Sequence, residues 1–224
     1  MWQRTERARK RRAVEKRLFV PGVDGDISVC LIYPNTYAVG MSNLGFQAAY
    51  KIFSQNVLCR CDRAFLPDPE DASTDKRPGT PLVSFESERP LCDFELLAFS
   101  ISFETDYLNV LDILAGAKIP LNSKERGPRQ PLVMAGGPAT FLNPEPLADF
   151  IDLFLIGEGE EMVPEFLDHY AALDRDGPTR LERLKGLRRV GGAYVPALSI
   201  PEYGPSGQLA VSYTHLTLPT SDLV

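Results

Sequence analysis

The chain has 224 residues, 44% of them hydrophobic, and a formal net charge of −6 at pH 7. This length and composition suffice to bury one full core, and no apolar run approaches the roughly 18 residues that a membrane span needs. Because the first residues lead into charge instead of an apolar signal core, we expect a cytoplasmic protein with no membrane partner.

Residues 1–17 are a strongly basic start to an otherwise acidic chain. They hold eight of the 24 basic residues and two of the 30 acidic ones. A basic run can contact RNA or an acidic partner surface, but a solvated helix or arm is the simpler explanation, because no basic stripe follows in the body. We therefore interpret residues 1–17 as a basic N-terminal arm and keep nucleic acid as an alternative partner.

Strands and helices are predicted to alternate along residues 18–186. Apolar runs predict strands at residues 27–33 (stopping at Pro34), 63–66, 96–101, 132–135, 153–156 and 191–196. Helical spacing follows at residues 43–53, 107–114 and 160–170, and residues 67–71 predict an exposed loop. This alternation predicts a Rossmann-like α/β fold with a doubly wound, mostly parallel sheet.

Three glycine-marked turns follow predicted strands, at residues 35–40, 135–138 and 157–160. The carboxyl ends of parallel strands share one edge of the sheet, so these turns are expected to lie close together. Glycine lets the backbone approach a ligand, and the helix N-termini beside such turns favour negative groups. The sequence therefore predicts a ligand-binding module with its site at this edge.

The four cysteines are Cys30, Cys59, Cys61 and Cys92, and their spacing fits neither a zinc ribbon nor a disulfide framework. Cys59 and Cys61 would share one face of a strand, with no second pair to complete a metal site. We expect reduced core thiols and no metal ligands, with metal coordination by the Cys59 and Cys61 pair as the alternative.

Four segments occur in order along the chain: residues 33–45, residues 99–104, residues 135–138 with 143–146, and residues 152–161. Together they resemble the N-terminal module of a bacterial group of cobalamin-binding-domain radical S-adenosylmethionine (SAM) proteins. In that family the module precedes the iron–sulfur barrel. The resemblance covers roughly residues 18–200 and implies a cobalamin-binding-like α/β domain over residues 18–186.

The first of these segments departs from the family pattern. Better-known cobalamin domains carry Asp-x-His-x-x-Gly there, with the histidine on cobalt, whereas this chain has Asn35, Tyr37 and Gly40. Neither His169, on a late helix, nor His215, in the tail, is a convincing replacement. The resemblance implies cobalamin held without histidine ligation, with Tyr37 beneath the corrin or leaving room for water. The alternative is that Tyr37 is a packed aromatic residue in a module that no longer binds cofactor.

The resemblance and the predicted sheet edge give a set of cofactor-binding candidates at the strand ends: Asn35, Thr36, Tyr37, Gly40, Ser100, Ser102, Glu104, Gly136, Gly137, Gly157, Glu158 and Gly159. No catalytic residue is predicted.

Several candidates have a structural alternative. Gly136 and Gly137 would approach the nucleotide tail of the cofactor, or merely close a tight turn. Glu158, like Glu160, would bind ligand amides or hydroxyls, or simply stabilise a helix N-terminus. The segment Ser100–Glu104 would reach the ligand or cap the next helix, and these two roles can coexist.

The sequence lacks the C-x-x-x-C-x-x-C motif that holds the [4Fe–4S] cluster of radical SAM enzymes. We therefore expect the cluster and SAM to belong to a missing part of the parent protein. Residues 187–211 are predicted to be a linker toward that barrel, and residues 212–224 resemble a translated adapter sequence, which indicates a non-native tail after truncation.

Three functions follow from these observations. The leading prediction is a module that positions a corrinoid or docks the radical SAM barrel without being catalytic itself. The alternative is a structural or interaction platform without cofactor, contacting RNA or an acidic partner through the basic arm. A nucleotide-binding enzyme is disfavoured, because the glycine turns lack a phosphate-loop lysine and a nearby general-base histidine.

Overall fold

The computed structural model describes residues 2–16, 19–22, 24–68, 82–173, 179–199, 202–203 and 209–210. The helices are α1 (Trp2–Val14), α2 (Tyr37–Met41), α3 (Leu44–Gln55), α4 (Tyr107–Gly116), α5 (Pro138–Leu142), α6 (Gly159–Ala171) and α7 (Arg180–Leu187). The strands are β1 (Ile27–Thr36), β2 (Cys59–Leu66), β3 (Leu96–Ser100), β4 (Leu132–Gly136), β5 (Leu153–Leu155), β6 (Ala193–Tyr194), β7 (Glu202–Tyr203) and β8 (Leu209–Ala210).

Six strands form the main sheet in the order β2-β1-β3-β4-β5-β6. The first five are parallel, and β6 runs antiparallel to β5. The predicted α/β fold with a mostly parallel sheet is therefore confirmed. The strands β7 and β8 form a separate antiparallel pair.

Apolar side chains cover both faces of this sheet. Alternate residues of β1 point to opposite sides, so that Leu31 joins a core with α3, α6 and α7, while Ile32 joins a second core with α4. The two cores centre on large buried rings, Phe46 and Phe166 on the first side and Phe154 on the second. The continuous apolar runs in the sequence reflect this burial on both faces.

Two predicted strand boundaries were wrong. The first strand does not stop at Pro34 but continues to Thr36, because the pairing with β2 shifts register between Tyr33 and Thr36. A proline is tolerated at such an irregularity, where no ladder hydrogen bond is needed from its nitrogen. The second strand begins at Cys59 instead of residue 63.

The predicted loop at residues 67–71 is described only at Pro67 and Asp68. The Asp68 side chain is mostly buried, with 16% of its surface exposed. The prediction of an exposed loop was therefore wrong for this residue. Residues 69–71 lie outside the described residues, as do most of the predicted linker after residue 199 and the whole tail at residues 212–224.

A buried ion cluster fixes the amino edge of the sheet. Asp152, just before β5, accepts hydrogen bonds from Arg126 Nη1 at 2.9 Å, Arg180 Nη2 at 2.6 Å and Val133 N at 2.8 Å. Arg180 Nε donates to Asp152 Oδ1 at 3.2 Å. Arg126 Nε and Nη2, and Arg180 Nη1 and Nη2, donate to backbone carbonyls of nearby loops. Because every charge in the cluster has partners, it ties β4, β5 and α7 together.

None of the helices in the described part of the chain is both long and apolar enough to cross a membrane.

Candidate functional site

The carboxyl edge of the sheet has the topology of a ligand site. From β1 the chain passes to β2 on one side, and later connections run to β3 and onward on the other side. Ligands of open α/β sheets bind where the strand order reverses in this way, outside the carboxyl ends of the strands. The crevice in this protein lies between the ends of β1 and β3, and the three glycine-marked turns all border this edge, as predicted.

A polar cluster joins the two strand ends at this crevice. Asn35, after the register shift in β1, donates from Nδ2 to Asp106 Oδ1 at 2.9 Å. Asn109 of α4 donates to the same oxygen at 3.2 Å and to the Pro34 carbonyl at 2.9 Å. The other carboxylate oxygen, Asp106 Oδ2, is buried and has no hydrogen-bond partner within the described parts of the chain. A buried acceptor left unpaired is costly, so this oxygen is a candidate contact for a ligand donor.

Asn43 forms a second link across the crevice. Its Oδ1 accepts a hydrogen bond from Phe46 N at 2.8 Å and so caps α3, while its Nδ2 donates to Ser102 Oγ at 3.1 Å. Sequence reasoning placed Ser102 at the edge but missed Asn43, Asp106 and Asn109. An asparagine just before a helical pattern is a cap signal that could have identified Asn43.

Large apolar side chains are exposed along the same edge. They come from the segments after β1, β3 and β4, and between 43% and 80% of each is exposed: Val39, Leu44, Phe103, Leu108, Phe141 and Leu142. We call these six residues the apolar edge. Large apolar side chains exposed along one edge make that edge a candidate binding face.

Tyr37 is packed under α1 and does not join the crevice network. Its hydroxyl donates to Glu15 Oε1 at 3.0 Å, and its ring stacks on Phe85 with 5.1 Å between ring centroids. Arg11 of α1 lies 4.8 Å from the ring centroid. Burial, followed by the negative charge of Glu15, raises the pKa of Tyr37 to about 12. These contacts fit the interpretation of Tyr37 as a packed aromatic residue.

Two of the candidate glycines are required by the protein's own packing. A Cβ on Gly40 would lie 2.7 Å from Phe65 Cε1. Gly137 has φ of +107°, and a Cβ there would lie 2.7 Å from the Ile101 carbonyl oxygen. Both distances are too short for a real Cβ, so Gly40 and Gly137 let α2 and α5 approach neighbouring strands closely.

The remaining candidates lie at the predicted strand ends. Thr36 ends β1, Gly136 ends β4, Gly157 and Glu158 precede α6, and Gly159 begins it. Glu160 is exposed in the first turn of α6, in agreement with a macrodipole role.

The capping alternative for Ser100, Ser102 and Glu104 was wrong. Among the described residues, no side chain caps the 3₁₀ turn Glu104–Asp106 or α4 directly after it. Ser102 instead accepts a hydrogen bond from Asn43, and Glu104 is exposed.

Three of the four cysteines are core residues. Cys30, Cys59 and Cys61 are buried, and burial raises the pKa of each thiol. The prediction of a core thiol was wrong for Cys92, which is exposed beside the turn Leu91–Asp93. Among the described residues no group of three or more His, Cys, Asp or Glu side chains could hold a metal ion.

The basic N-terminal segment binds the chain's own acidic residues. Arg9 and Arg12 of α1 pair with Glu88 at 2.6 and 2.7 Å, and Arg11 pairs with Asp68 at 2.7 Å. Arg9, Arg11 and Arg12 therefore pair with acidic residues of the same chain.

The two histidines are remote from the crevice or not described. His169 lies in the last turn of α6, a helix of 13 residues that begins at the carboxyl edge and extends away from it. At about 1.5 Å per residue, the helix carries His169 roughly 15 Å from that edge. His215 lies outside the described residues.

Comparison with known protein families identifies a match over most of the chain. A family model described as "Radical SAM proteins, N-terminal" matches residues 45–196, which run from the first turn of α3 to the segment after β6. No curated protein and no solved structure matches the chain.

Proposed function

The chain belongs to the N-terminal family of radical SAM proteins, and from this premise we propose that its carboxyl edge holds a corrinoid for the catalytic part of such a protein. The module itself supplies no catalytic residue. It binds and positions the cofactor, and the same face docks the iron–sulfur barrel.

The apolar edge is the observation that carries this proposal. Six large apolar side chains from the segments after β1, β3 and β4 are exposed at the carboxyl edge, which includes the topological switch point. Full burial of one such side chain stabilises a complex by about 1.5–3 kcal/mol, so covering this face is strongly favourable. A broad ligand with apolar surface, or a protein partner, is therefore expected to cover it.

The polar groups at the crevice suit the periphery of a corrinoid, which carries carboxamides around an apolar ring system. The unpaired Asp106 Oδ2 can accept a hydrogen bond from an amide N–H. Phe103, which follows β3, and Phe141, which follows β4, would exclude water from the apolar part. When bound, a corrinoid supplies a carrier for a methyl group or an electron.

The geometry supports binding without histidine ligation. The Tyr37 hydroxyl is engaged with Glu15, and His169 is remote from the edge. The lower face of the corrinoid would therefore receive no axial side chain from either residue.

A second function is a docking platform without cofactor. The packing roles of Gly40 and Gly137 favour it, because these glycines would be needed even in a module that binds nothing. The version in which α1 recruits RNA or an acidic partner is disfavoured, because Arg9, Arg11 and Arg12 pair with the body of the chain.

Titration of the full chain with hydroxocobalamin distinguishes these functions. We expect a shift of the visible corrinoid band and co-elution of the corrinoid in gel filtration. The double variant Phe103→Ser/Leu108→Ser should weaken binding about tenfold or more, a loss of about 1.4 kcal/mol. The matched control is Val57→Ser, because Val57 is 87% exposed before β2 at the opposite edge. A folded chain that binds no hydroxocobalamin would contradict the corrinoid proposal and favour the cofactor-free platform.

A further inference from the structure

A groove separate from the crevice lies between the segment after α1 and the helix α3. It is open to solvent, with an internal volume of about 50 Å³, so an apolar ligand would lie partly along its mouth. Phe19, Met41 and Phe46 provide apolar lining, whereas Glu15 and Arg63 add a paired charge on its wall. The groove therefore combines an apolar surface with one fixed cation.

Arg63 is held in place by the body of the protein. Its side chain is 4% exposed, and its Nε donates to Glu86 Oε1 at 2.7 Å. The guanidinium carbon lies 4.6 Å from the ring centroid of Tyr50 and 5.0 Å from that of Phe85. These contacts orient the guanidinium so that its two terminal nitrogens form a preset fork for a carboxylate.

Glu15 occupies that fork in this structure. Arg63 Nη1 donates to Glu15 Oε1 at 2.8 Å, and Nη2 donates to Oε2 at 2.7 Å. The pair is bidentate, which is the strongest geometry for an arginine and a carboxylate. An external carboxylate could make the same two hydrogen bonds if Glu15 moved away.

Glu15 directly follows the end of α1, whose arginines pair with Asp68 and Glu88. Arg63, in contrast, is part of β2 and is held by Glu86 as well. Rotation of the Glu15 side chain alone would open the fork, and Lys16 and Phe19 would stay at the groove.

We propose that the Arg63 fork and its groove bind a small monocarboxylate with an apolar body, and that Glu15 is an internal substitute for this ligand. The ligand carboxylate takes the place of the Glu15 carboxylate on Arg63. Its apolar body lies against Phe19, Met41 and Phe46, and the exposed Lys16 at the groove favours an anion. This site is separate from the carboxyl edge and does not depend on corrinoid binding.

Chemical rescue of Glu15→Gln tests the proposal. The amide keeps the shape of the side chain but leaves the buried Arg63 with Glu86 as its remaining paired carboxylate among the described residues, so the variant should unfold at a lower temperature than the unaltered chain. Saturating octanoate should raise the Tm of Glu15→Gln by about 5 °C or more and that of the unaltered chain much less. Octanol has the same apolar body without the charge, and acetate has the charge without the body, so neither should rescue.

The matched control is Glu6→Gln, which removes a carboxylate of α1 that pairs with the exposed Lys10. Its Tm should respond to octanoate no more than that of the unaltered chain. If Glu15→Gln does not fold, Glu15→Asp takes its place in the same assay, because its shorter side chain retains the charge but fits the fork less well. Equal stabilisation by octanol, or no gain specific to octanoate in whichever variant folds, would overturn the proposal.

Discussion

The two edges of the sheet differ in how completely their buried carboxylates, Asp152 and Asp106, are hydrogen-bonded. At the amino edge Asp152 has two arginines and a backbone N–H as partners, and the arginines are satisfied in turn. At the carboxyl edge Asp106 receives two amide hydrogen bonds on one oxygen and none on the other from the described residues. The carboxylate at the amino edge is therefore fully paired, whereas Asp106 Oδ2 at the carboxyl edge has no partner among the described residues and is where we propose that a ligand donor binds.

The largest effect is expected from removing the carboxylate at the amino edge. Asp152→Ala leaves the buried Arg126 and the nearly buried Arg180 without a counter-charge, so unfolding should become easier by about 3–5 kcal/mol. Urea denaturation measures this change. Asp149→Ala, at an exposed position close by in sequence, serves as the control and should change stability by less than about 0.5 kcal/mol.

A backbone change at the carboxyl edge should have the next largest effect. Gly137→Ala places a Cβ against the Ile101 carbonyl at a residue whose φ is +107°. We expect a loss of about 1–3 kcal/mol in the free energy of unfolding, measured by the same denaturation. Gly127→Ala is the control, because a Cβ there meets nothing within 4 Å. Equal losses for both variants would show that the strain at Gly137 is unimportant.

The Asp106 carboxylate should contribute little to stability. Asp106→Asn can retain the oxygen that accepts from Asn35 and Asn109 while removing a charge from a buried position. The change in unfolding free energy should be about 1 kcal/mol or less, and hydroxocobalamin binding should weaken. A loss as large as that of Asp152→Ala would mean that the two edges do not differ in the way we infer.

Acid should loosen the attachment of α1 to the rest of the chain. The hydrogen bond from Arg9 lowers the pKa of Glu88 below its ordinary value of 4.5. The folded-state pKa is therefore the lower one, so the pairing is fully present above pH 4.5 and is lost as the pH falls through the lowered value. Fluorescence anisotropy of Trp2, the single tryptophan, should report the release of α1.

Two comparisons check this pH effect. Glu88→Gln should remove most of the pH dependence, because it has no carboxylate to titrate. High salt should also loosen α1 in the unaltered chain, since exposed ion pairs are screened. An anisotropy that stays constant through this pH range would show that α1 is held by other contacts.

Local sequence patterns predicted the main elements correctly where burial is uniform. Residues 96–101 and 132–135 are continuous apolar runs, and both are central parallel strands. Residues 160–170 show helical spacing, and they fall within α6. The errors arose where tertiary contacts decide the outcome. β1 continues past Pro34 because its pairing with β2 shifts register there. Cys92 is exposed although its neighbour Leu91 is buried.

The candidate site was only partly predictable. The glycine turns and Ser102 could be assigned to the carboxyl edge, because strand direction alone brings them there. Asp106 gave no comparable signal, since its burial depends on Asn35, which lies 71 residues earlier in the chain. Tyr37 could not be assigned either, because α1 covers it through Arg11 and Glu15.

The sequence by itself determined the alternation of strands and helices and the edge at which the glycine turns meet. These features follow from the periodicity of apolar residues and the conformational freedom of glycine, which act over a few neighbouring residues. The tertiary structure alone decided which charges pair, from Asp152 with its two arginines to Arg63 with Glu15, 48 residues away. Such pairings depend on the distances between residues remote in sequence, which are fixed only when the sheet and its helices are assembled.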